Sequence, residues 1–93
     1  MSIETLASQI QSKLDGSGFS RNVKLDLGSD GVIVLDGEVV STENSDADCL
    51  IEVSKDNLEK IVAGDLNPTT AAMTGKMKIK GDMSAAMALA GVL

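Results

Sequence analysis

NLEKIVAGDLNPTTAAMTGKMKIKGDMSAAMALAGVL, residues 57–93, decides the fold. Asp56 just ahead of it offers a carboxylate cap, with Glu59 three positions on as in a capping box. Leu58, Ile61 and Val62 then share one helical face, and Gly64 supplies the stop. Asn67-Pro68 restarts the chain, because Pro suits a first helical position where its missing N–H is not needed. A short helix follows over Thr69 to Thr74, ended by Gly75. Lys76-Met77-Lys78-Ile79-Lys80 alternates strictly, so Met77 and Ile79 point inward and three lysines face water. Gly81 breaks that strand and Asp82 caps a last helix, in which Met83, Ala86, Met87 and Ala90 share a face with Leu89 at its flank.

Four of the five methionines (Met73, Met77, Met83, Met87) lie in this stretch among alanines. Methionine is flexible and polarizable, so such surfaces repack around varied ligands; it also serves as an ordinary core filler. The ordered set is specific: a glycine, an Asn-Pro turn, a small-residue helix, a G-K-M-K-I-K strand and a Gly-Asp-Met step into a final helix. It resembles the sterol carrier protein type 2 family, closely over roughly the last 40 residues and loosely over the whole chain. That resemblance implies an α+β fold, with five mostly antiparallel strands in a curved sheet and helices over one face. It implies a tunnel between sheet and helices that holds a lipid. The family often has an aromatic residue in the second strand, where this chain has Val32 and Val34. The last helix is short, which implies a cavity left open or closed by a partner subunit.

Working back toward the N-terminus, Ile3, Leu6, Ala7, Ile10 and Leu14 make one amphipathic face with Ser2 as cap. The polar face carries one lysine, Lys13, so packing on a sheet is favoured over lying on a membrane. Val23, Leu25 and Leu27 alternate inward. Gly28 to Gly31 turns the chain, Val32 to Leu35 is apolar on both faces as in a central strand, and Asp36-Gly37 turns it again. Glu38 to Thr42 reads as a short edge strand, and Cys49, Ile51 and Val53 line one side of a fourth strand. With 93 residues and no linker or repeat, one domain over 1–93 is the expectation.

Composition excludes several classes. The net charge of −6 and the single aromatic residue argue against nucleic acid, which needs cationic surface and stacking rings. The absence of histidine removes the usual zinc sites and nucleophilic triads. Cys49 is alone, which excludes an internal disulfide and suits a reducing compartment. Asp26-x-Gly28-x-Asp30-Gly31 resembles part of a calcium loop, but position 12, where a glutamate belongs, is Gly37. Glu43, Asp46 and Asp48 read as a solvated loop, and Lys76, Lys78 and Lys80 as guards of an exposed edge. The chain starts without a leader pattern and does not end in a peroxisomal tripeptide, so a cytoplasmic location is expected.

The expected function is non-covalent lipid binding and transfer: sterol, fatty acid, acyl-CoA or phospholipid, with at most transient membrane contact. No cofactor, metal or catalytic residue is expected. Facing and family topology place Leu25, Val34, Leu58, Ile61, Met73, Met77, Ile79, Met83 and Met87 along the lipid. The alternative is an accessory module that docks an enzyme and presents its lipid substrate, or a homodimer, since relatives occur fused to enzymes.

Overall fold

A computed structural model describes residues 2–93. Helix α1 (Ile3–Leu14) opens the chain, and Ser2 caps it by accepting a hydrogen bond from the Thr5 backbone N–H. Strand β1 (Asn22–Asp26), a 3-10 turn (Gly28–Asp30), β2 (Val32–Asp36) and β3 (Val39–Ser41) follow. Then come β4 (Cys49–Val53), α2 (Lys55–Ala63), α3 (Pro68–Met73), β5 (Met77–Gly81) and α4 (Met83–Val92). The strands form one open sheet in the order β3-β2-β1-β4-β5. Only β1 and β4 run parallel; the other three pairings are antiparallel, so the sheet is mostly antiparallel as expected. The parallel step is possible because the chain between them is long enough to cross back.

Register separates the two faces, because residues opposite each other across a ladder share a face. Val23, Leu25, Ile33, Leu35, Ile51, Val53, Met77 and Ile79 lie on the face that carries the core. Lys24 stands opposite Val34 and Leu50, Leu50 opposite Lys80, and Glu52 opposite Lys78, all on the other face. The core packs between the inner face and α1, α2 and α4, and no polar or charged residue is buried in it among the described residues.

Both edges of the sheet are protected. At β3 the Gln11 side chain takes over the missing strand: its Oε1 accepts from Val40 N–H at 2.9 Å and its Nε2 donates to the Glu38 carbonyl. At β5 the protection is lysine, with Lys78 and Lys80 exposed. Lys80 Nζ also lies 2.7 Å from Glu52 Oε1, and that partner raises the lysine's pKa.

The start of α2 differs from the sequence expectation. Ser54, not Asp56, is the cap: its Oγ accepts from Asn57 N–H at 3.1 Å, so the helix begins one residue before Asp56. Serine sits two positions earlier and takes the Asn57 N–H, an orphan donor of the first turn, leaving Asp56 within that turn where its charge still complements the helix dipole. The other caps are as read, with Asn67 Oδ1 serving Thr69 and Thr70, and Asp82 Oδ1 serving Ser84 and Ala85. Gly81 has φ +92, and a Cβ there would sit 2.5 Å from the Asp48 carbonyl oxygen. That close approach lets the chain leave β5 and enter α4 directly, with Asp82 N–H donating to the same oxygen.

The inward face of α4 is the second correction. Ala85, Ala86 and Leu89 are buried, whereas Met83 is 55% and Met87 62% exposed. Every residue of α4 is apolar or small, so periodicity does not orient it. The sheet surface beneath accepts the thin alanine side, and the longer methionines are left outside.

Candidate functional site

The inner face of the sheet is filled unevenly. Under α1 it is occupied by Leu6, Ile10 and Leu14, all without exposure. Under α4 the roof is Ala86 and Ala90 beside Leu89, and a crevice remains between β1, β4, β5 and helices α2, α3 and α4. Its walls are Leu25, Ile51, Val53 and Met77 from the sheet and Leu58 and Ile61 from α2. Pro68, Ala86, Leu89, Ala90 and Leu93 close it. Every one of these side chains is apolar. The cavity volume is about 20 Å³. That is room for about one water and far below the roughly 300–1,000 Å³ of a ligand pocket, so the crevice is too narrow for a lipid as it stands.

Four of the nine residues expected along a lipid meet here: Leu25, Leu58, Ile61 and Met77. Ile79 faces the same way and is half-buried against the core, but outside the crevice walls. Val34 does not come near: it lies on the opposite face of the sheet, paired with Lys24 and Ser41. The alternation of β2 permitted either phase, and only pairing with β1 settles which valine or isoleucine faces in. Met73 is 82% exposed at the end of α3, and Met83 and Met87 point into solvent. The inward placement expected of these four is therefore corrected. The residues missed are Ile51, Val53, Pro68, Ala86, Leu89, Ala90 and Leu93. The alternation of β4 already marked Ile51 and Val53 as inward, while the facing of α4 had no signal.

A wider depression of about 320 Å³ adjoins the crevice, and the two share Ile61, Pro68 and Leu93. The depression is lined further by the end of α2, Leu66, Asn67 and Lys13 from the last turn of α1. A larger open cleft of about 530 Å³ lies elsewhere, where Asp26, Asp30 and Glu52 face Lys76 and Lys78. Its mixed charges and exposure to water suit solvation, and size alone does not make it a binding site.

Among the described residues no cluster of His, Cys, Asp or Glu is arranged to hold a metal. Asp26 Oδ1 accepts from the Gly28 N–H within its own turn. Glu43, Asp46 and Asp48 are exposed on their loop. Cys49 has no solvent exposure; burial pushes its thiol pKa up, and the nearby Asp82 charge adds to this. A thiol so placed is not poised as a nucleophile. Asp82 is held below the usual carboxylate range, first by its hydrogen bond from Ser84 and also by backbone N–H groups and Arg21. Arg21 Nη1 lies 3.3 Å from Asp82 Oδ2 and 3.1 Å from Ser84 Oγ, tying the start of α4 to the approach of β1. No helix among the described residues is long and apolar enough to cross a membrane.

Comparison with known proteins adds to this geometry. The SCP-2 sterol transfer family matches over residues 2–93. A fatty acid-binding protein of Yarrowia lipolytica is 34% identical over 77 residues, covering 83% of this chain and 57% of that protein. Hydroxysteroid dehydrogenase-like protein 2 of Bos taurus is 44% identical over 66 residues, which is 70% of this chain but 15% of the relative. The crystal structure of sterol carrier protein 2 like 2 from Aedes aegypti superposes with a TM-score of 0.80 at 20% identity, covering 98% of this chain and 95% of that one.

Proposed function

The chain belongs to the SCP-2 sterol transfer family, and from that premise we propose that it binds the apolar part of a lipid non-covalently between its sheet and α4. The observation that carries this reading is the crevice of eleven apolar residues, narrow but roofed in part by alanine. A drug-sized ligand occupies pockets of about 300–1,000 Å³, so binding requires α4 to lift or slide. Such movement uncovers one large side chain of α4, Leu89, since Ala85 and Ala86 present small surfaces. The driving force is removal of ligand apolar surface from water, about 25 cal/mol per Å² before ordering costs. Carriage of that lipid between membranes or to an enzyme is the activity the site supports. It has no group placed to cut or form a bond.

The test is native mass spectrometry of the purified protein before and after solvent extraction. We expect a lipid adduct that extraction removes and that fatty acid restores, and Met77→Asp to lose it while circular dichroism stays unchanged. A ligand-free mass that refuses fatty acids, sterols and phospholipids alike would end the carrier reading.

One observation favours a second reading. Met73, Met83 and Met87 are exposed on the same C-terminal segment, and 15% coverage of the dehydrogenase-like relative places such a domain inside a longer enzyme-like chain there. On this reading the domain docks an enzyme or a second copy through α4 and presents lipid to it.

A further inference from the structure

We infer that the free edge of β5 docks an extended segment of a partner protein, one that alternates acidic and apolar residues and adds to the five-stranded sheet as a further strand. An edge strand carries unpaired backbone groups that another strand can take. The two edges of this sheet differ in that respect. At β3 the Gln11 side chain already fills Val40 N–H and the Glu38 carbonyl. At β5 no side chain does the same. Asp82 N–H donates to the Asp48 carbonyl, and this pair is next in register after Cys49 and Gly81. Hydrogen-bonded pairs of an antiparallel ladder recur at every second residue, so Lys80 and Lys78 bond inward to β4. The N–H and C=O groups of Met77, Ile79 and Gly81 then point away from the sheet, and among the described residues no hydrogen bond fills them.

The side chains along this edge say which strand fits. Lys76, Lys78 and Lys80 are exposed, three of the eight cationic residues in a chain of net charge −6. Lys78 and Lys80 lie on the outer face, and Lys76 lines the same open cleft as Lys78, with Asp26 and Asp30 across it. One carboxylate of β4 stands beside them: Glu52 is opposite Lys78 and pairs with Lys80 at 2.7 Å. Lys76 and Lys78 make no ion pair among the described residues. A second copy pairing through β5 would set lysine against lysine, which destabilises a ladder, whereas Asp or Glu opposite the same lysines stabilises it. Between the lysines, Met77 and Ile79 are half-buried at the margin of the inner face, so apolar residues at the alternate positions of the added strand extend the core. The edge refuses copies of itself and accepts a strand of complementary charge. Docking there requires no lipid and no movement of α4.

The experiment titrates the isotope-labelled protein with three capped peptides of equal length and follows amide shifts and amide exchange by NMR. One peptide alternates glutamate and valine, one alternates threonine and valine, and one is glutamate throughout. The glutamate–valine peptide should shift and protect the amides of Met77, Ile79 and Gly81. It should bind about tenfold more tightly than the threonine–valine peptide, the size of three cross-strand charge pairs. The glutamate-only peptide should bind more weakly despite its greater charge, because it offers nothing to Met77 and Ile79. Lys76→Gln combined with Lys78→Gln should cut the tenfold preference to about twofold, with the threonine–valine peptide bound as before, which shows that the edge itself is intact. Raised salt should shrink the preference in the wild type. Equal binding of the acidic and neutral alternating peptides would overturn the inference, as would tightest binding by the glutamate-only peptide. So would shifts confined to α4, or a response to phosphatidylserine vesicles with none to any peptide.

Discussion

Helices α1 and α4 lie on the same face of the same sheet and use it in opposite ways. α1 puts its large side chains down, with Leu6, Ile10 and Leu14 wholly buried, and its polar side out. α4 puts Ala85, Ala86 and Leu89 down and its methionines out. A sheet half covered by leucine and isoleucine is packed to completion. A sheet half covered by alanine keeps a seam. The difference divides the domain into a part that holds the fold and a part that yields to a ligand, within a single core.

The largest expected effect follows from that division. Ile10→Ala should cost about 4 kcal/mol in urea unfolding, because it removes buried methylenes from a site that cannot collapse. Leu89→Ala removes a side chain of similar size, 2% exposed, but beside an existing seam. α4 can settle into the space, so about 2 kcal/mol is expected, with lipid affinity kept or raised. Equal losses at the two positions would mean that α4 is as rigid as α1 and that the crevice does not open by moving it.

The sequence carried the fold because nearly every boundary had a local chemical cause. Ser2, Asn67 and Asp82 cap where their side chains fall, Gly64 stops α2 at φ +85, and the alternation of β1, β4 and β5 fixed which residues face in. The site was less legible for two physical reasons. Val34 was misplaced because β2 is apolar in both phases, and its facing is set by partners 10 residues away in sequence. Met83 and Met87 were misplaced because a helix whose only polar side chain is Ser84, in its first turn, has no polar side to turn outward. Where the pattern was amphipathic, as for Leu58 and Ile61 on α2, the same reasoning placed the walls of the crevice correctly.

A smaller effect tests the boundary between the halves, where β4 turns into α2. Ser54→Ala should lower stability by about 1 kcal/mol, the usual worth of a cap. Asp56→Ala should lower it by a few tenths at most, since only a helix-dipole contact is lost. The reverse ranking, read from urea midpoints at constant slope, would restore Asp56 as the cap and shift the start of α2.

The smallest effect is the most informative about α4. Met83→Gln and Met87→Gln exchange exposed apolar side chains for polar ones of similar length. Exposed substitutions of this kind stay within about 0.5 kcal/mol, so neither should move the unfolding midpoint appreciably. A loss above about 2 kcal/mol would mean that water does not reach these side chains. Repeating the measurement over a range of protein concentrations then separates the causes. A loss that fades on dilution of the wild type would show a second copy covering α4, because dimer stability depends on concentration. A loss independent of concentration would show α4 rolled with its methionines against the sheet. In that case the two helices would be built alike, and the seam between β5 and α4 would be filled by the protein's own side chains.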